Sequence, residues 1–192
     1  MKRFLILLLL VLVAGSTLAQ SPETEPPLFI LVSNIPYWWT PEDTQPVALI
    51  EDGFVLGGAI SPDASKIAYM GHAPITLDAV ERTGALPSDI WLLDLVTGDI
   101  QAVAEQPAGA SFLTEGAPDN AIARSTPVWS PDGLLLAWTE QTIPEGVNRL
   151  VTYDLSTGTS SVIADDLPPQ SGEPTPLNLK WGEPGIVLQS VT

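Results

Sequence analysis

The sequence predicts an all-β protein, a β-propeller of four-stranded antiparallel blades, with two full blades and a partial blade at each end. Three observations carry this. A pair of turn motifs occurs twice in fixed order: Ser61-Pro62-Asp63 followed by Asp94-Leu95-Val96-Thr97-Gly98, then Ser130-Pro131-Asp132-Gly133 followed by Asp154-Leu155-Ser156-Thr157-Gly158; such self-similarity marks a repeat architecture. Apolar and β-branched runs of four to seven residues are separated by clusters of Pro, Gly, Asp and Ser, with 19 Pro and 15 Gly in all, which is strand-and-turn punctuation. Each repeat reads as a four-strand meander, and such a sheet must pack its faces against neighbouring sheets.

The elements follow in order. Residues 1–20 read as a secretory signal peptide: Lys2 and Arg3 precede an apolar run from Phe4 to Ala14, and small residues at Thr17 and Ala19 place cleavage near Ala19. The run of 11 residues falls short of the roughly 18 needed to span a bilayer, so a retained anchor is only the alternative and no stable membrane span is expected after cleavage. Residues 21–27, S-P-E-T-E-P-P, form an extended linker with nothing apolar to bury. Residues 28–192 form the propeller domain. There, Tyr37-Trp38-Trp39-Thr40 and Pro46 to Ile50 align with Trp91 to Asp94 and Ile100 to Ala104, so they read as outer strands of a blade whose inner strands are missing or irregular.

The first full blade comprises Val55 to Ile60, Lys66 to Met70, Asp89 to Leu95 and Ile100 to Ala104. The second comprises Pro127 to Trp129, Leu134 to Thr139, Leu150 to Leu155 and Ser160 to Ala164. Leu134-Leu135-Leu136-Ala137-Trp138 has no polar alternation, as expected of a strand covered on both faces. Within the tight turns, Pro131 presets φ, Asp132 accepts from a nearby backbone N–H, and Gly133 tolerates positive φ. Ala64 replaces that Gly in the first copy, so a slightly different turn type is expected there. Gly98 and Gly158 sit where a three- to five-residue hairpin wants a left-handed residue. Leu179 to Leu188 repeats the pattern of Val128 to Leu136 with a decayed turn.

Composition narrows function. Seven basic against 23 acidic residues give a formal charge of −16, a sign that repels nucleic acid and anionic membranes. There is no cysteine, hence neither a lipid-attachment site nor a disulfide framework. One histidine and no Gly-x-Ser-x-Gly elbow argue against Ser-His-Asp catalysis, and the chain is not expected to be an enzyme. Asp165-Asp166 and Glu115 with Asp119 match no calcium-loop spacing; no cofactor is expected, with a structural calcium ion as the alternative. Trp91, Trp129, Trp138 and Trp181 fall in strands at equivalent blade positions, where large rings fill the wedge between sheets rather than form an aromatic cage. Trp38 and Trp39, being adjacent, point to opposite faces.

In a meander, the first and third connections share one end of a blade. The short turns are all of that kind, so Gly71 to Ser88, Glu105 to Ser125 and Asp165 to Pro176 converge on the other end, where binding residues concentrate. His72, Asp78, Glu81 and Arg82 are candidates from the first segment, with a helical turn at Leu77 to Thr83, and Phe112, Glu115, Asp119, Asn120 and Arg124 from the second.

The pairing of S-P-D-G with an aliphatic-aromatic strand and then D-L-x-T-G resembles the TolB-type, WD-like propeller repeats of exported bacterial proteins, over Val55 to Leu188. The resemblance implies a periplasmic or secreted, non-catalytic scaffold binding an envelope or extracellular protein, or alternatively the gating propeller of a prolyl-oligopeptidase-like hydrolase. Two blades and two halves make about three, against about four to eight in closed propellers. The chain is then part of a larger propeller, or its amino-terminal strands complete the carboxy-terminal half blade, within one distorted chain or across a homodimer that closes the ring.

Overall fold

The computed structural model describes residues 26–50, 54–76, 87–112, 120–143, 148–167 and 178–189. The leader, most of the linker and the expected helical turn at 77–83 lie outside them. Strands dominate, and the helical element among these residues is one 3-10 turn at Pro74–Thr76. No helix of the described residues is long and apolar enough to cross a membrane.

The described residues form four sheets in sequence order. The first contains β1 (Leu28–Val32), β2 (Ile35–Trp39) and β3 (Val47–Ala48), paired in that order. Expectation had the inner strands of this blade missing or irregular, yet β1 pairs along the whole of β2. Its hairpin turns at Ser33 and Asn34, with φ of 51° and 65°, the two-residue connection whose twist matches paired strands. Ser-Asn without glycine is a weak signal for that turn, which is why β1 escaped the sequence reading.

The second sheet is the meander β4 (Val55–Ile60), β5 (Lys66–His72), β6 (Ser88–Asp94) and β7 (Ile100–Ala104). The third contains β8 (Ile122–Arg124), β9 (Val128–Trp129), β10 (Leu135–Thr142), β11 (Asn148–Asp154) and β12 (Thr159–Leu167); β8 and β9 both pair with β10. The inner strand of this blade therefore starts at Ile122, five residues before the expected Pro127. Pro127 has no N–H to give a ladder, so the strand breaks there. Ser125 bridges the gap, its N–H donating to the Thr139 carbonyl and its hydroxyl accepting from the Thr139 N–H, both at 2.9 Å. The last sheet is the hairpin of β13 (Asn178–Gly182) and β14 (Gly185–Gln189). It stays separate from the first sheet, so the two ends do not complete one blade within a single chain.

The repeated turns are built alike. Asp63 accepts from the Ser61 hydroxyl (2.7 Å) and the Ser65 N–H (3.1 Å), and Asp132 from the Ser130 hydroxyl (2.6 Å) and the Leu134 N–H (3.1 Å). Each serine hydroxyl also accepts the N–H that restarts the strand, Lys66 or Leu135, at 2.9 Å. Ala64 takes φ 56° where Gly133 takes 72°, so the expected difference in turn type is corrected: the Ser-Asp network forces Ala into the left-handed region. In the second turn of each blade, Asp94 accepts from the Val96 and Thr97 N–H groups and Asp154 from those of Ser156 and Thr157, and Gly98 and Gly158 carry φ of 78° and 67°.

Strand parity distributes the core. In β5, Ile67 and Tyr69 pack toward the first sheet with Phe29 and Trp38, while Ala68 and Met70 face the third. In β10, Leu136 and Trp138 face the second sheet and Ala137 the hairpin, against Leu179. A central strand covered on both faces needs apolar residues at successive positions, which Leu136, Ala137 and Trp138 supply; Leu134, expected in the same covered run, instead ends the preceding turn and is 59% exposed. Trp129 and Trp138 are buried, and the Trp129 Nε1–H donates to the Ala59 carbonyl at 2.9 Å, joining β9 to β4.

Candidate functional site

The two ends of the blades differ chemically. At the short-turn end the polar groups are consumed locally, by the turn networks and by the ion pair of Lys66 with Asp94, partners across β5 and β6. The connections at the other end run from His72 to Ser88, Ala104 to Ile122 and Leu167 to Asn178.

Arg124 anchors that end. It was expected in a loop; it lies in β8, its side chain 4% exposed, between Asp89 of β6 (3.5 Å) and Glu140 of β10 (3.3 Å). Its guanidinium also donates to the Ser88 carbonyl (2.6 Å) and the Glu105 carbonyl (3.0 Å). A strand residue whose parity points between two sheets is removed from water, and a buried guanidinium needs this many acceptors. Burial pulls the Arg124 pKa down while both carboxylates push it back; burial raises that of Asp89, against a hydrogen bond from Gln106 and the charge of Arg124. Arg124 therefore staples the second sheet to the third. Sequence reasoning passed over Asp89, Glu140 and Arg149, although charged residues inside apolar strands were the available signal, and over the neutral Gln106, which follows β7 and carries no such signal.

The second long connection has a clamped neck. Gln106 donates to the Ser88 and Ile122 carbonyls (3.0 Å each) and to Asp89 (3.1 Å), and accepts from the Ile122 N–H (2.7 Å). Further out, Asn120 Oδ1 accepts from the Ser111 N–H (2.8 Å), and the Asn120 N–H donates to the Ser111 carbonyl (3.2 Å). Phe112, half-buried, stands just beyond this crossing. Glu115 and Asp119 lie outside the described residues, as do Asp78, Glu81 and Arg82. His72 was also expected in a loop and is the last residue of β5, its ring 6.1 Å from that of Phe54. Its Nδ1 is buried without a hydrogen-bond partner, and burial lowers its pKa. So the structure gathers Arg124 with Asp89, Ser88, Gln106 and Glu140 at the base, and leaves Phe112 and Asn120 at the foot of the loop above it.

Two hollows belong to this region. One of about 410 Å³ is lined by Thr142, Arg149, Asp165 and Asp166; Asp166 there holds φ 56° beside a break in the β11–β12 register. The other, about 240 Å³, runs between β7 and β12 with Arg124 and Glu140 among apolar walls of Val103, Trp138, Val151 and Val162. A cleft of about 360 Å³ opens at the short-turn end, between Asp132 and the Trp181 to Gly185 turn.

No protein-family model matches the sequence, and no curated protein does. Among solved structures, the β-propeller domain of the Trilobed protease from Pyrococcus furiosus, described as having an open velcro topology, superposes with a TM-score of 0.50 at 18% identity, over 84% of this chain and 43% of that one. The fold is a β-propeller, present as a partial ring. Dipeptidyl peptidase 4 from Porphyromonas gingivalis superposes with a TM-score of 0.55 at 9% identity, over 84% of this chain and 27% of that one. TolB from Acinetobacter baumannii gives 0.43 at 23% identity, over 71% and 29%. The chain thus spans less than half the length of each. At such identities the likeness concerns the fold, and it agrees with the propeller read from the turn repeats.

Proposed function

We propose that the protein is an exported, non-catalytic scaffold that binds an envelope or extracellular protein through the end of the blades where the long connections converge. The observation that carries this reading is the asymmetry of the two ends. One end closes its polar groups into its own turns, while the other mounts long connections on a base fixed by Arg124 and Gln106. Ordering side chains and backbone at an interface costs entropy, and a neck already fixed at Gln106 and Ile122 reduces that cost. Export rests on the leader read in residues 1–20, and a charge of −16 disfavours nucleic acid as the ligand.

The test replaces residues 78–86 and 113–119 by Gly-Ser spacers, leaving Gln106, Asn120 and Arg124 in place, and compares partners captured from envelope extract. Capture is expected to fall at least tenfold with the circular dichroism spectrum unchanged; recovery of the same partners would overturn the reading. A second reading, the gating propeller of a secreted serine peptidase, is favoured by one finding: the propeller of a protease and a dipeptidyl peptidase superpose with TM-scores of 0.50 and 0.55. The coding sequence after residue 192 separates the two. An in-frame Gly-x-Ser-x-Gly elbow supports the peptidase; a stop codon supports the free scaffold.

A further inference from the structure

Two successive junctions between sheets can be compared at the short-turn end, and the second departs from the first. Where the second sheet meets the third, the turns touch: a Cβ on Gly133 would stand 3.4 Å from Pro62. Trp129, which leads into that turn and pairs with Leu136, is 7% exposed, and its indole N–H reaches Ala59 of the sheet before it. Where the third sheet meets the hairpin, Pro131 holds the place of Pro62, and Trp181 that of Trp129. Trp181 pairs with Ile186, so residues 182–185 close its turn, whereas residues 130–135 lie between Trp129 and Leu136. A turn shorter by two residues leaves its glycines clear of the neighbouring sheet: a Cβ on Gly182 or on Gly185 would meet nothing within 4 Å. Trp181 is accordingly only half-buried, and a cleft of about 360 Å³ stands where the earlier junction is filled.

Asp132, which lines this cleft, is the exception to the local closure of polar groups at that end. In the first copy of the turn both carboxylate oxygens are engaged: Asp63 Oδ1 accepts from the Ser61 hydroxyl and the Ser65 N–H, and Oδ2 accepts from the Ser65 hydroxyl at 2.9 Å. In the second copy Leu134 stands where Ser65 stands and has no hydroxyl to give. Asp132 Oδ1 keeps its bonds from Ser130 and Leu134, while Oδ2 lacks that third donor. The Ser130 hydroxyl, above all, holds the Asp132 carboxyl below its ordinary value, so it is charged at neutral pH. Glu183, exposed in the hairpin turn, is the other carboxylate of the lining. With the Trp181 ring, Pro131 and Pro184 beside them, the cleft has apolar walls, two negative charges and no basic side chain.

We propose that this cleft is a docking site for an arginine side chain of a partner protein. Such a side chain matches the cleft in both of its parts. Its apolar stem and the flat of the guanidinium lie against the indole and the prolines, an indole face being the strongest aromatic partner for a cation. Its fork of N–H groups donates to Asp132 Oδ2 and to Glu183. Lysine offers a point charge with no plane to stack, which selects arginine. A formal charge of −16 steers a basic segment toward the protein. The cleft lies at the end of the blades opposite the long connections, so the inference does not rest on the binding face proposed above.

A proton–nitrogen NMR titration of the protein expressed from residues 1–192 decides it, with the capped peptides Gly-Arg-Gly, Gly-Lys-Gly and Gly-citrulline-Gly as probes. The arginine peptide is expected to move the Trp181 indole N–H signal and the Gly182 and Gly185 amide signals saturably. Citrulline keeps the shape and drops the charge, so its peptide is expected to bind about tenfold more weakly, the loss of two exposed ion pairs; the lysine peptide is expected to fall between them. Glu183→Gln removes one carboxylate, and Leu134→Ser returns to the turn the hydroxyl that Ser65 gives in the first copy. Each is expected to weaken arginine binding about threefold, the worth of one exposed ion pair. Both side chains are exposed, and an unchanged denaturant midpoint shows that each variant folds. The absence of a saturable shift overturns the proposal. So do equal shifts with citrulline, binding that survives both substitutions, and a lysine peptide that binds as tightly as the arginine one.

Discussion

Ala64 occupies the left-handed region at φ 56°, matching Gly133 at 72°. An L-residue with a Cβ in this conformation costs roughly 1–2 kcal/mol, so Ala64→Gly should stabilise the protein by about 1 kcal/mol and Gly133→Ala should destabilise it by about the same, read from denaturant midpoints. A Cβ on Gly133 would come no closer than 3.4 Å to Pro62, which confines the penalty to the backbone. The aspartates of these turns set the acid response. Asp63 is lowered chiefly by the Ser61 hydroxyl, Asp132 by that of Ser130, Asp154 by that of Ser156, and Asp94 by Lys66, to about 2. The unfolded chain therefore protonates first as pH falls. Their contribution is complete above the ordinary carboxylate value of 3.8 and is lost below it, down to about 2 for Asp94. Asp89, raised by burial, runs the other way, losing stability as pH rises through its folded value. Denaturant midpoints should fall between pH 5 and pH 2, and Asp132→Ala should differ from the unaltered protein less at pH 2 than at pH 7. The roles of Pro131, Asp132 and Gly133 were legible from residue chemistry alone. The conformation of Ala64 was not, because propensity spoke against it and the surrounding network overrode it.

Adjacent glycines in β4 show how an element serves two neighbours. A Cβ on Gly57 would stand 2.4 Å from Thr126 Oγ1, and one on Gly58 would stand 3.1 Å from the Phe29 ring, so successive residues admit the third sheet on one side and the first on the other. Gly57→Ala should cost about 1–3 kcal/mol through overpacking. The cost should shrink in a Thr126→Ala background, since the nearest remaining atom would be Thr126 Cβ at 3.4 Å; a double-mutant cycle measures the difference. The staple between β6, β8 and β10 follows a different rule. Arg124→Met leaves Asp89 and Glu140 without their buried partner and should cost about 3–5 kcal/mol, with part recovered by adding Asp89→Asn and Glu140→Gln. Most strands were legible from runs and turns. The exceptions were β1, entered through Ser33-Asn34, and β8, cut off from β9 by the proline at 127; in each the punctuation sought in the sequence was absent or misplaced.

Across the whole molecule, stability is a chain of nearest-neighbour junctions. The second and third sheets share one core in which Ile90, Leu92, Leu136, Trp138, Val151 and Tyr153 interlock. Trp138→Ala should therefore cost about 3–5 kcal/mol and lower amide-exchange protection in both sheets together. The β13–β14 hairpin, held on one face by Leu179 and its neighbours, should exchange sooner than either. The candidate site divides the same way. That one end of the blades carries the long connections followed from strand parity in the sequence, but the placement of Arg124 and His72 in strands did not, since a residue near a strand end reads as loop until its partner strand is known. The sequence by itself determined what is local: where chain direction reverses, which runs must be covered on both faces, and how serine, aspartate and glycine close each turn. The tertiary structure alone decided what is distant: that Arg124 meets Asp89 and Glu140, and that Trp129 reaches Ala59. Turn geometry depends on residues within a few positions of one another, whereas contacts between sheets depend on which of two parities each strand presents and on the order in which the sheets stack.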